Sequence, residues 1–427
     1  MSTNKMTLEV IMIRKTLPAL LLGALSYGCA TAEVDQSQGL SWPELIEYQK
    51  PGTAELNLSA KFSVQDVRQV ANQVADWQLD QYDIRSNKMR KEGRASGLPQ
   101  GWMYAPLHSG LLAWGKVSDQ LGYEQAVRNI AAVNQWRLGP RRYHADDHAI
   151  GQVYLDMYEK YQDPVMKQNV EMVFDWVLDH PSDRSLDFEH PEKEVINGAN
   201  RTYTDPWCTQ RWCWADAIYM APPVWAQLSK ITGDAKYLEF MNREFWLTTD
   251  YLYSEEDHLF LRDSRYFKRK AENGKPVYWG RGNGWVLAGI ARTLPYIPKD
   301  FSDRERYVNL FKRVSKSLLQ AQKADGSWPA SLLEASDGQN PESSATGLIV
   351  FSLAWGINNG VLPAEQYRSA VERGWQSLVS TVQPSGKLGY VQQVGYAPES
   401  ATADDTQLYG TGALLLAAAE VYQLLNQ

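Results

Sequence analysis

Six stretches of this chain read as helices with almost no polar face: GLLAWGKVSDQLG, GQVYLDMYEKYQD, MAPPVWAQLSKITGD, GWVLAGIARTLPYI, GLIVFSLAWGINNG and GALLLAAAEVYQLL. A helix that is apolar nearly all round has to be buried. Between them lie helical stretches with a charged face, such as YEQAVRNIAAVNQW and RERYVNLFKRVSKSLLQ, which suit an outer, half-exposed position. Apolar periodicity places twelve helices at roughly 63–79, 102–119, 122–138, 147–161, 164–179, 212–231, 235–251, 283–296, 303–322, 343–357, 364–382 and 405–425. Six inner helices wrapped by six outer ones predict an all-α fold, a six-hairpin toroid or (α/α)6 barrel. The Gly and Ala of the inner set fit where helices converge. The final GALLLAAAEVY lacks a polar cap, which favours a closed ring over an open solenoid. Strand-like patterns are minor and confined to connections, as in HLFLRDSRYF and KLGYVQQVGY.

The connections divide into two kinds. Turns from an inner to the next outer helix are short, as in ITGDAKYLEF and YQDPVMKQNV. Returns from outer to inner helix are long, and the topology puts all six on one rim, where a rigid scaffold carries its sites. Sixteen Trp and 23 Tyr suit a surface that grips sugars, and equally a Trp-rich core. The formal charge of −7 argues against a nucleic-acid partner.

At the N-terminus, Arg14 and Lys15 precede LPALLLGAL and an Ala30-Thr31-Ala32 cleavage site, so residues 1–32 read as a signal peptide. Cys29 in SYGC offers the alternative of a lipid anchor. Either implies export, to the periplasm or as a membrane-anchored lipoprotein. No other stretch reads as a membrane span. Residues 33–60 form an extension and 61–427 the barrel. Monomer and homodimer both remain open. Cys208 and Cys213 are expected to be two half-buried small apolar side chains, since five-residue spacing does not establish a bridge. No metal-ligand spacing or nucleotide loop is present, so neither metal nor cofactor is expected.

Several rim residues could carry chemistry. Asp216 in RWCWAD enters the apolar ADAIYMAPPVW; it is either a helix cap or an acid in a cavity walled by Trp212 and Trp214. Asp146 and Asp147, in HADDHAIGQ between His144 and His148, are caps or a second carboxylate. Asp404 and Asp405 in TADDTQLYG read more as caps. In WGRGNGW, Arg281 lies between Trp279 and Trp285; it either packs as a cation against the rings or offers a planar fork to a substrate carboxylate. Three glycines beside it favour close approach of a ligand. Arg211 could serve as Arg281 does.

HADDHAIGQVYLDMY, WADAIYMAPPVWAQLSKITGDAKYL, FLRDSRYF, WGRGNGWVLAGIARTL, SLAWGINNG and TADDTQLYGTGALLLAAAEVY together resemble glycoside hydrolase family 105, unsaturated uronyl hydrolases related to family 88. The resemblance covers about residues 60–425 and implies an (α/α)6 barrel. It also implies a substrate: an oligosaccharide made by an upstream polysaccharide lyase, with a 4,5-unsaturated uronic acid at its non-reducing end. The enzyme would protonate C4 of the enol ether and add water at C5, after which the hemiketal opens and releases the neighbouring sugar. By motif, Asp216 resembles the general acid and base. Asp146, favoured by its spacing to Gly151, or Asp147 resembles the second carboxylate. Arg281 and Trp285 resemble a substrate-binding pair, and Tyr104 in GWMYAP a sugar contact. Two departures concern specificity. TYTDPWCTQ has no histidine before the acid, and FLRDSRYF carries Arg262 and Arg265 where some members have histidine. Such arginines suit an anionic neighbour, as in ulvan-type sulfated rhamnose, over a pectin-type one. The rival readings are a conventional inverting glycosidase on the same barrel and a non-catalytic oligosaccharide-binding lipoprotein.

Overall fold

A computed structural model describes residues 58–94, 97–189, 205–334 and 339–427. The signal segment, Cys29 and nearly all of the 33–60 extension lie outside them. The helices are α1 (Val64–Asp80), α2 (Tyr104–Ser118), α3 (Leu121–Val133), α4 (Ala145–His148), α5 (Gly151–Tyr161), α6 (Val165–Asp179), α7 (Ala217–Met220), α8 (Pro222–Thr232), α9 (Ala235–Leu252), α10 (Gly280–Thr293), α11 (Arg304–Gln320), α12 (Ser343–Asn358), α13 (Ala364–Ser380) and α14 (Leu408–Leu425). Local chemistry fixes several starts. The Ser63 hydroxyl accepts the Asp66 N–H at the head of α1, and the Asp234 carboxylate accepts the Lys236 N–H at the head of α9. Two expected helices are each broken. The 147–161 helix becomes α4 and α5, and the 212–231 helix becomes α7 and α8, after a 3₁₀ turn at Trp207–Arg211. Pro222 has no N–H to continue the ladder from α7, so a new helix starts there.

The inner helices form an unbroken circuit. α2 packs on α5, α5 on α8, α8 on α10, α10 on α12, α12 on α14, and α14 back on α2. Outer helices α3, α6, α9, α11 and α13 each pack on the inner helix they follow or precede, and α1 packs on α14. The circuit is a closed (α/α)6 barrel. Closure depends on two glycines: a Cβ on Gly110 would lie 2.6 Å from the Gly412 carbonyl oxygen, and one on Gly412 2.3 Å from the Pro106 backbone. By length and composition alone α14 could cross a membrane, but here it is mostly buried between α2 and α12.

Hydrogen bonds and ion pairs join neighbouring returns around one rim. Arg141 pairs with Asp205, the Ala215 N–H donates to the Arg262 carbonyl, Gly280 to Ala330, Ser343 to Tyr390, and Arg94 pairs with Asp405. The strand-like segments 258–267 and 387–396 did not become strands. Each contributes to an isolated bridge, Tyr253 with Phe260 and Val382 with Leu388. Among the described residues the one two-stranded sheet is Tyr82–Asp83 with Lys88–Met89. In these long returns, side-chain and carbonyl contacts with the next loop satisfy the backbone that a ladder would otherwise hold.

The cysteines differ from expectation. Cys208 and Cys213 are both fully buried and form a disulfide. The 3₁₀ turn followed by Trp212 in the left-handed region, φ 53°, bends the chain back and brings their Cα atoms to 5.4 Å, within bridging range.

Candidate active site

Asp216 sits where the third return enters α7, and its side chain makes no capping bond. It is 13 % exposed, Oδ2 has no hydrogen-bond partner, and the Arg262 Nε lies 3.8 Å from that oxygen. Burial raises its carboxyl above the ordinary range, while Arg262 and then Arg281 pull it the other way. The second return brings Asp146 to the same place. Burial pushes the Asp146 carboxyl up to about 7, with the negative charges of Asp216 and Asp147 adding to the rise and Arg141 opposing it. His144 packs against Trp214, ring centroids 4.9 Å apart, and its Nδ1 accepts the Asp146 N–H.

Asp147 takes a different position from its neighbour. Arg141 holds it through its backbone N–H at 2.8 Å and its guanidinium at 2.6 Å, and it is 5 % exposed. A Cβ on Gly139 would lie 2.4 Å from the Asp147 carboxyl carbon, so the turn before α4 closes directly onto this side chain. Asp147 therefore braces the return and Asp146 faces Asp216. Asp404 and Asp405 are not helix caps: Asp405 accepts the N–H and hydroxyl of Thr402, Asp404 is exposed, and α14 starts later, with Gln407 as its cap.

WGRGNGW is not a permissive loop. α10 begins at Gly280, with Trp279 as its cap, instead of at 283. Its glycines serve packing: a Cβ on Gly280 would lie 2.2 Å from the Pro329 carbonyl oxygen, and one on Gly282 would press on Trp279 at 3.1 Å. Arg281 is 1 % exposed and lies over the rings of Trp279 and Tyr409, at 4.4 and 4.9 Å. Its Nη1 donates to the Gln392 carbonyl at 2.6 Å and its Nη2 to that of Gln393 at 3.0 Å. That is the packing alternative, not an open fork. Trp279 donates to the Gln392 side chain at 2.9 Å. Trp285 is fully buried against Tyr219, at 4.5 Å, so it forms the floor beneath the site.

Three further expectations are corrected. Arg211 does not reach the opening; it donates to Glu244 of α9 at 2.6 Å and is 18 % exposed. Trp212 is buried in the core against Trp225 of α8 and Phe240 of α9 and does not line the opening. Tyr104 is buried in the first turn of α2 against Tyr82, whereas the half-buried Trp102 of the same segment stacks on Tyr409 at 5.2 Å.

Arg262 is the expected residue that does meet Asp216. Its Nη1 bonds Asp263 at 2.6 Å, and Arg265 donates to Asp263 from Nε at 2.9 Å and Nη2 at 2.8 Å. Asp263 is fully buried, and those guanidinium partners keep its carboxyl below the ordinary range despite burial. Sequence reasoning missed Asp263; the available signal was a carboxylate between two arginines in RDSR.

Two rim carboxylates with raised pKa, a guanidinium and aromatic walls can move a proton on a sugar. Residues 70–425 match Glycosyl Hydrolase Family 88. The chain belongs to that family. It is 40 % identical over 355 residues to the unsaturated 3S-rhamnoglycuronyl hydrolase of Alteromonas sp. (strain LOR), covering 83 % of this chain and 85 % of that protein. It is 36 % identical over 335 residues to the enzyme of the same name from Formosa agariphila, covering 76 % and 85 %. A solved family 88 glycosyl hydrolase from Bacteroides vulgatus matches with a TM-score of 0.70 at 27 % identity, over 85 % of this chain and 100 % of that one. Family 88 is the relative of family 105 that the motifs also resemble. The family 88 chain is a glycosidase that removes an unsaturated uronic acid from oligosaccharides.

Proposed function

We propose that Asp216 and Asp146 act as one acid–base pair that hydrates the C4=C5 double bond of the terminal uronate. The observation that carries this reading is the burial of both carboxylates at one mouth of the barrel, with Asp216 Oδ2 left unpartnered beside Arg262. Burial and mutual repulsion let the pair keep one proton near neutral pH. Arg262 and Arg281 draw that proton toward Asp146 in the free enzyme. When the substrate carboxylate takes up Arg262, Asp216 loses part of its stabilisation as an anion and accepts the proton. Asp216 delivers it to C4, water adds at C5 with its second proton returning to the pair, and the hemiketal opens to release the neighbouring sugar. Trp214 and Trp102 supply apolar wall, while Trp285 and Arg281 form the packed floor.

The neighbouring sugar is a sulfated rhamnose, as in ulvan fragments produced by a lyase. Arg262 and Arg265 in place of histidine support this, as do two relatives named for a 3S-rhamnoglycuronyl unit. The Cys208–Cys213 disulfide supports export to an oxidising compartment such as the periplasm. The test is incubation with lyase-generated oligosaccharides from ulvan and from rhamnogalacturonan. Loss of ultraviolet absorbance with release of the sulfated sugar is expected. Cleavage of saturated uronides at a similar rate would instead support an inverting glycosidase.

A further inference from the structure

We infer that Arg265 holds the sulfate ester of the sugar next to the uronate, while Arg262 serves the reacting end. This inference rests on the reading above. Asp263 aligns both guanidinium groups, and one buried carboxylate shared by two arginines leaves a net positive charge at the mouth. The two arginines differ in what they face. Arg262 is 13 % exposed and points its Nε at Asp216. Arg265 is 35 % exposed, and its guanidinium lies 3.7 Å from the Phe188 ring and 4.9 Å from the Tyr396 ring. Asp263 occupies Nε and Nη2, which leaves the Nη1 edge of Arg265 without a partner among the described residues.

The rings come from two other returns, and each return is also tied to the arginine's own segment by a hydrogen bond. The Phe188 N–H donates to the Ser264 hydroxyl at 2.8 Å, and the Tyr266 hydroxyl donates to the Tyr396 carbonyl at 2.6 Å. The two rings therefore orient the arginine in addition to those bonds. A stacked guanidinium with a free two-proton edge is a weakly hydrated, preorganised partner for an oxyanion. Tyr396, 58 % exposed, adds a flat face beside it for a sugar ring.

The experiment compares unsaturated uronyl-rhamnose disaccharides with and without sulfate, using wild type, Arg265→Gln and Arg265→Lys, with Tm measured for each. In Arg265→Gln the ratio of kcat/KM for the sulfated over the unsulfated substrate should fall by about tenfold, through KM, equal to about 1.4 kcal/mol. Arg265→Lys should fall between, because it keeps the charge and loses the flat fork. An unchanged ratio, or a lowered Tm with equal losses on both substrates, overturns the assignment while leaving the hydration reading intact. A wild-type enzyme that leaves the absorbance of both substrates unchanged overturns both.

Discussion

Two arginine-bearing segments, WGRGNGW at the head of α10 and RDSR in the fourth return, send positive charge toward the same carboxylate and are built in opposite ways. Arg281 is sealed between rings and carbonyl oxygens at 1 % exposure. Arg262 and Arg265 hang from one buried aspartate and keep open edges. Both segments contribute to the electrostatics of Asp216, but Arg281 gives both its Nη groups to carbonyl oxygens, whereas Arg262 and Arg265 are more exposed. The more conspicuous motif is the structural one, because indoles and glycines at a helix start satisfy packing first.

The largest expected effect comes from the carboxylate both segments address. Asp216→Asn should lower kcat by about 10²–10⁴-fold with Tm unchanged; residual activity within about tenfold would leave neither arginine segment a catalytic group to serve. Next, Arg281→Gln should lower Tm by several degrees, since it removes the donor to the Gln393 carbonyl, worth about 1–3 kcal/mol, and one of the two donors to the Gln392 carbonyl, which Tyr409 also bonds. Arg262→Gln should lower kcat/KM far more than Tm. The reverse pattern would collapse the contrast between sealed and open arginines.

A fourth prediction concerns pH. With the Asp146 carboxyl at about 7, kcat/KM should fall as pH rises past that value, and Asp146→Asn should displace this limb. The smallest effect is on stability. The folded-state value of Asp146 lies above its ordinary 3.8, so its stabilising contribution is full below that value and is lost as pH rises through about 7. Asp146→Asn, which does not titrate, should therefore gain in Tm relative to wild type between pH 5 and pH 8. A Tm difference that stays flat over this range would show that Asp146 is not a buried, proton-holding group.

The ring was legible because its causes are local. Twelve helical stripes, the Gly and Ala of the inner set and the alternation of short and long connections all follow from periodicity. What was not legible depends on neighbours distant in sequence or on single backbone angles. Asp146 and Asp147 are adjacent and chemically identical; Arg141 and Gly139 decide which one turns to the site. The glycines of WGRGNGW suggested room for a ligand, whereas Pro329 and Trp279 fill that room. The disulfide follows from one left-handed residue, Trp212, that composition does not reveal.

The central claim is a proton transfer to carbon, and turnover in D₂O tests it most directly. Nuclear magnetic resonance of the product at early times should show a single deuterium on one face of C4, delivered at the rate of sugar release and lost with Asp216→Asn. Early product with no deuterium at C4, or with deuterium distributed over both faces, would contradict hydration by an enzyme-held acid.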